Sequence, residues 1–172
     1  MYNLLPDIYQ KDVFSIDYEA LKDAGIKVIL FDLDNTLAST KEKKPNSNLK
    51  NLMEHVRSLN LIPLIISNQT KKKIAPFKDG LLISSAYFSF KPLKFKYKKI
   101  MKQYKVKPGQ VAAVGDSLFT DILGANRLGI TSILVDSVGG VLFVKKPIRF
   151  LENRVIKHYK KRGVFERGVY YE

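Results

Sequence analysis

Residues 28–40 read VILFDLDNTLAST, an apolar run that passes straight into Asp32 and Asp34, two carboxylates with one residue between them. Extended back to Ile26, the apolar part is short and rich in β-branched residues, the pattern of a strand buried on both faces of a parallel sheet. Carboxylates this close repel each other. Either a cation relieves them, or the pair is only the solvated end of the strand.

Outward from this strand, apolar runs alternate with amphipathic stretches. Residues 46–60 place Leu49, Leu52, Met53, Val56 and Leu59 at helical spacing, with Asn46, Ser47 or Asn48 as N-cap. A second strand covers 61–68, a short helix is expected over 71–77, and 80–90 carries one or two strands. In 92–106, Leu93, Tyr97, Ile100, Met101 and Tyr104 share one helical face and Lys94, Lys98, Lys102 and Lys105 another. Residues 110–116 form a third strand, 120–129 a helix ending at Gly129, and 130–136 a fourth strand. This alternation predicts an α/β, Rossmann-like parallel sheet with helices on both faces. No composition break marks a second domain, so 1–172 reads as one domain. Its last part, from about 145, is a basic helix with Ile148, Leu151, Val155 and Tyr159 inward, then a tail.

At 45% hydrophobic residues the chain can bury a full core. It has no cysteine, which excludes disulfides and thiolate metal sites and fits a reducing compartment. The first residues show no secretory signal, and the longest uncharged run, 58–70, is too short to span a bilayer. A cytoplasmic protein is expected, with peripheral contact at the inner face of a membrane as the alternative. The net charge of +14 attracts polyanions, whether nucleic acid, anionic lipid or phosphorylated small molecules, without choosing among them.

In such sheets the ligand crevice lies beyond the carboxyl ends of the strands. Those ends carry Asp32, Asp34, Ser67, Asn68, Lys91 and Asp116, with Asp121 shortly after. Several carboxylates, a hydroxyl and an ammonium on one rim suit phosphoryl transfer through a covalent intermediate. Asp32, Asp116 and the backbone carbonyl of Asp34 offer hard oxygens for Mg²⁺, with Asp121 as a further candidate. Asp32 would attack phosphorus, Asp34 would handle the proton, and Ser67, Asn68 and Lys91 would hold phosphoryl oxygens. Lys94 and Lys96 compete with Lys91, but Pro92 opens the following helix and leaves Lys91 in the loop at its mouth. His55 and His158 sit in amphipathic helices and read as surface residues.

DLDNT, ISN, FKP and GDSLFTD occur in this order over 26–136 and resemble the four motifs of the haloacid dehalogenase (HAD) superfamily of phosphatases. The resemblance implies Asp32 as nucleophile, Asp34 as acid and base, Ser67 and Lys91 as phosphate clamps and Asp116 as metal ligand. The N-terminal stretch LLPDIYQKDVFSIDYEALKDAGIKVILFDLDNTL and GDSLFTDILGANRLG are similar to the YqeG-type branch, which is related to mitochondrial phosphatidylglycerophosphate phosphatases. Stretches 37–45 and 69–90 are too short for the cap domain many superfamily members insert, so a capless site open to a bulky substrate is expected.

The leading expectation is therefore a Mg²⁺-dependent phosphomonoesterase acting on phosphatidylglycerophosphate or a related phospholipid. Tyr2, Leu4, Leu5 and Ile8, with the basic helices, would dock on an anionic bilayer. The alternatives are a basic RNA- or ribosome-associated protein on the same fold, and a soluble sugar-phosphate or nucleotide phosphatase whose site an oligomer partner covers. The sequence leaves the oligomeric state open.

Overall fold

A computed structural model describes residues 4–139 and 146–168. Among them, β1 (Ile8–Gln10), β2 (Val28–Phe31), β3 (Ile62–Ile66), β4 (Ser84–Ala86), β5 (Val111–Gly115) and β6 (Thr131–Val135) form one sheet in the order β1-β6-β5-β2-β3-β4. Every pairing is parallel. β2 is central because each of its four residues is 0% exposed, and only a strand covered on both faces can hold such a run. From β2 the chain winds outward through β3 to β4, then crosses back to β5 on the opposite side. The order reverses between β2 and β5, which is the switch point beside whose strand ends ligands bind in open sheets of this kind.

The helices are α1 (Tyr18–Asp23), α2 (Ser47–Ser58), α3 (Lys71–Leu81), α4 (Phe95–Tyr104), α5 (Leu123–Asn126) and α6 (Lys146–Lys161). Successive β2 side chains point to opposite faces. Ile29 and Phe31 join Tyr18 and Leu21 of α1, Leu49, Met53 and Val56 of α2, and Ile74 and Phe77 of α3. Val28 and Leu30 join Tyr97, Ile100 and Met101 of α4 and Ala125 of α5. Each fully buried aliphatic or aromatic side chain stabilises by about 1.5–3 kcal/mol. Helices therefore cover both faces as expected, and α2 starts at the N-cap Asn46, whose side chain accepts the Leu49 N–H at 2.9 Å.

Several elements differ from the sequence reading. β1 was not anticipated, since three residues carry too little periodicity to read; it pairs with β6 at the sheet edge. Ile8, expected on a membrane-docking surface, is instead 2% exposed and opposite Ile133. Tyr2 lies outside the described residues. α3 runs past Pro76 to Leu81, because Ile74, Phe77 and Leu81 bury along one face and outweigh the hydrogen bond that proline forfeits. Residues 80–90 contribute one short strand, within the one or two expected, whereas the expected 120–129 helix is a π-type turn, Leu118–Ile122, followed by the brief α5.

α6 is rotated from its expected orientation. Ile148 and Leu151 are 47% and 52% exposed, while Val155 and Tyr159 pack inward with Ile156 against Tyr9, Leu118, Leu134 and Phe165. Glu152 occupies the inward position at 2% exposed. His55 and His158 are exposed. No helix among the described residues is long and apolar enough to cross a membrane.

Candidate active site

The Asp32 N–H donates to Val114 O at 2.8 Å, which extends the β2–β5 ladder by one step and fixes the residue at the rim. The chain then turns. Asn35 takes a left-handed φ of 63°, a conformation asparagine tolerates better than most residues, and its N–H donates to Ala38 O at 2.7 Å. This turn separates the two aspartates of the DLD stretch. Asp34 accepts from Lys73 Nζ at 2.6 Å and from Gln69 Nε2 at 2.5 Å. Asp32 faces the other way, toward Lys91 and the end of β5.

Asp32, Asp116 and Asp121 are all buried, and each offers an oxygen within 4.8 Å of the others. Gly115 makes this possible, since a Cβ there would lie 2.2 Å from Cγ of Asp121. The π-type turn then folds Asp121 back, and its Oδ2 accepts the Ser117 N–H at 3.2 Å. Lys91 Nζ lies between two of the acids, 2.5 Å from Asp32 Oδ1 and 2.5 Å from Asp121 Oδ1.

Burial raises the Asp32 carboxyl to about 7; Lys91 pulls it down, while Asp121 and Asp116 push it up. For Lys91 burial works against the charge, but Asp121 and Asp32 overcome it and hold the ammonium above its ordinary value. The buried cluster is thus short of positive charge. Mg²⁺–oxygen bonds of about 2.0–2.1 Å put opposite ligands about 4.2 Å apart, so three hard carboxylate oxygens at this spacing fit such an ion with small adjustments.

Ser67 is buried at the end of β3, its N–H donating to Ala86 O and its Oγ accepting the Gln69 N–H at 3.2 Å. The Asn68 side chain, expected at the phosphate, is engaged with the backbone of Lys91. Its Oδ1 accepts the Lys91 N–H at 2.7 Å and its Nδ2 donates to Lys91 O at 3.3 Å. The side chain fixes the Lys91 backbone, because a loop carrying a buried ammonium needs its own polar groups satisfied. The Asp34 side chain also stands apart from the acidic cluster, which leaves its backbone carbonyl as the only oxygen it could give a metal.

Four further residues escaped the sequence reading. Gln69 and Lys73 hold Asp34, and Lys73 was hidden among three consecutive lysines. Arg149 of α6 pairs with Asp116 Oδ2 and donates to Asp116 O at 2.7 Å. Glu152 accepts from Ser117 Oγ at 2.6 Å, Phe119 N at 3.2 Å and Arg149 at 3.1 Å. A lone acid in the middle of a basic helix was the available signal. The Asn35 amide and Thr36 hydroxyl, both buried, have no hydrogen-bond partner among the described residues. Such groups are costly unless something else bonds them.

Residues 90–140 match the family described as "HAD-hyrolase-like". The chain is 31% identical over 160 residues to a probable phosphatase YqeG of Bacillus subtilis, covering 92% of this chain and 93% of that one. It is 26% identical over 172 residues to a chloroplastic/mitochondrial phosphatidylglycerophosphate phosphatase 1 of Arabidopsis thaliana, and spans about half of that protein: 94% of this chain against 49% of the other. Among solved structures, the 3-deoxy-D-manno-octulosonate 8-phosphate phosphatase of Moraxella catarrhalis, in complex with magnesium and phosphate, superposes with a TM-score of 0.52 at 14% identity, covering 83% of this chain and 92% of that one. The cobalt-bound Haemophilus influenzae phosphatase gives 0.51 at 15%, covering 83% and 94%. The structures speak for the fold. The near end-to-end match to the Bacillus protein goes further, and the chain belongs to the YqeG-type branch of the haloacid dehalogenase phosphatases.

Proposed function

We propose that the protein is a Mg²⁺-dependent phosphomonoesterase that works through an aspartyl-phosphate on Asp32, with phosphatidylglycerophosphate or a related anionic phospholipid as substrate. The observation that carries the chemistry is the separation of the two aspartates. Asp32 stands in the acidic cluster with Lys91, while Asp34 is turned to Gln69 and Lys73.

An Asp32 oxygen attacks phosphorus, and the phosphorus–oxygen bond to the leaving alcohol breaks as Asp34 gives that oxygen a proton. Asp34, now a carboxylate, takes a proton from water, which attacks the acyl-phosphate, releases inorganic phosphate and restores Asp32. Lys91 and the Ser67 hydroxyl hold phosphoryl oxygens, and Asn68 keeps Lys91 in place. Asp32, Asp116, the Asp34 carbonyl and Asp121 are the groups that would hold Mg²⁺, which supplies neutralising charge between an anionic nucleophile and an anionic phosphate.

The lipid assignment is supported by the named activity of the Arabidopsis relative, by the net charge of +14 and by the absence of an inserted cap. Stretch 37–45 is a bridge and turns, and 69–90 is taken up by α3 and β4, which are parts of the core. The test is phosphate release from a panel of lipid phosphates, sugar phosphates and nucleotides, with and without Mg²⁺. Release from phosphatidylglycerophosphate above all others, dependent on Mg²⁺ and abolished by Asp32→Asn, is expected. Metal-dependent release that survives Asp32→Asn would sink the mechanism, and a preference for soluble phosphates would sink the lipid assignment.

A further inference from the structure

Beside the phosphate clamp lies a run of side chains that the reaction does not use. Tyr87, Phe88, Phe90, Leu93 and Phe95 are each between 39% and 57% exposed, within nine consecutive residues. The four aromatic rings form a continuous ladder, with centroids 6.0 Å apart for Tyr87–Phe88, 6.3 Å for the stacked Phe88–Phe90 and 6.2 Å for Phe90–Phe95. Scattered exposed apolar residues need no explanation, but a contiguous group rimmed by charge does.

The backbone adds a second observation. Phe88 and Phe90 have φ of 45° and 50°, in the left-handed region that bulky residues avoid. Strain of this kind persists only where the surroundings impose it. Here the Phe88 N–H donates to Gln69 O at 3.0 Å, and Ser89, fully buried between the two phenylalanines, donates its N–H to Ser67 O at 3.0 Å. The loop is pinned at Ser89, and its two rings are turned outward on either side. The two central rungs adjoin the chemistry: Phe90 precedes Lys91, which bonds Asp32, and Phe88 is tied to Gln69, which bonds Asp34.

Lysines lie on and near this loop. Lys96 Nζ lies 5.3 Å from the Tyr87 ring centroid and 5.9 Å from that of Phe95. Lys98 and Lys99 are exposed on α4, and Lys71 and Lys72 are exposed at the start of α3, just after Gln69. Aromatic rings that enter the headgroup boundary, flanked by lysines that stay at its surface, match an anionic bilayer in both polarity and charge.

We propose that the Tyr87–Phe95 ladder and its lysines are the surface by which this protein docks on an anionic membrane, with the catalytic rim held at the headgroups. The idea rests on the phospholipid reading of the same site. Of the N-terminal residues expected to dock, Ile8 is buried in the sheet and does not belong to this surface.

Because the chain has no tryptophan, Phe90→Trp gives a single reporter at the centre of the ladder. Its emission is read against vesicles of phosphatidylglycerol mixed with phosphatidylcholine, and against phosphatidylcholine alone. A blue shift with the anionic vesicles only is expected, and no shift would overturn the proposal. In parallel, Phe88→Gly with Phe90→Gly keeps the left-handed backbone and relieves its strain. That double variant should keep or raise the melting temperature, hydrolyse p-nitrophenyl phosphate at the original rate, and bind anionic vesicles about ten-fold or more weakly. Unchanged vesicle binding, a lowered melting temperature, or a wild-type dimer that the variant dissolves would each overturn it, the last by assigning the ladder to a second copy of the chain. A failure of the substrate assignment looks different: the wild type would bind anionic vesicles, yet release no phosphate from phosphatidylglycerophosphate embedded in them.

Discussion

Two cations serve the acidic cluster, and they arrive by different routes. Lys91 comes from the sheet side; its side chain is 3% exposed, it touches Asp32 and Asp121, and its backbone is held by Asn68. Arg149 comes from α6, outside the sheet; its side chain is 21% exposed, it touches Asp116, and it depends on Glu152 for its position. The first is built into the strand-end geometry that defines the fold. The second is a helix laid across the cluster, and it ties the C-terminal region to the same carboxylates. The lysine is therefore expected to matter for both chemistry and folding, and the arginine chiefly for how Asp116 and its loop are held.

The largest effect should come from Lys91→Met. Removing the one ammonium bonded to two buried carboxylates leaves uncompensated charge, a change that costs on the order of 3–5 kcal/mol. Chemical denaturation of the metal-free protein should show this loss, with phosphate release abolished as well. A variant as stable as the wild type would mean that Asp32 and Asp121 do not need the ammonium.

Glu152→Ala comes next. The glutamate accepts hydrogen bonds from Ser117, Phe119 and Arg149, so its removal strands three donors and frees Arg149 to move off Asp116. The expected destabilisation is about 2–3 kcal/mol, less than for Lys91→Met because water can reach part of the gap. Arg149→Gln should cost less again, about 1 kcal/mol. It also sharpens the contrast between the two cations: a Mg²⁺ bound as proposed would take over the charge that Arg149 supplied at Asp116. Added Mg²⁺ should then raise the melting temperature of Arg149→Gln by more than that of the wild type, and an equal rise would show that Arg149 and the metal do not share Asp116.

The same contrast explains what could be read before the structure. Asp32, Asp116 and Lys91 were legible because each sits where a strand or loop gives way at a motif, and the β-α alternation sends all such ends to one rim. Asp121 was legible only as a candidate, because its return to the cluster needs Gly115 and a π-type turn that no simple periodicity announces. Asn68 was legible as a rim residue but its bond to the Lys91 backbone was not, since only coordinates reveal that its amide closes there. Arg149 and Glu152 were lost because apolar spacing was used to orient α6. Ile148 and Leu151 turned outward once the buried Glu152, paired with Arg149 and facing the Ser117 hydroxyl, claimed the inner face. Periodicity orients a helix only where its buried face is apolar.

A dependence of stability on pH should appear on the Lys91 side of the cluster. In the fold, burial, Asp121 and Asp116 together outweigh Lys91 and raise the Asp32 carboxyl to about 7, from 3.8 in the unfolded chain. Between these values the folded state binds more protons than the unfolded one, so stability is full below pH 3.8 and declines as pH rises to about 7. In chelator-treated protein the melting temperature should therefore carry a downward contribution between pH 5 and pH 7 that Asp32→Asn removes, because an amide has no proton to lose. The variant should gain on the wild type as pH rises through that window. If the two melting curves ran parallel, Lys91 would already compensate Asp32 fully, and the shortage of positive charge would lie at Asp116, which Arg149 pairs.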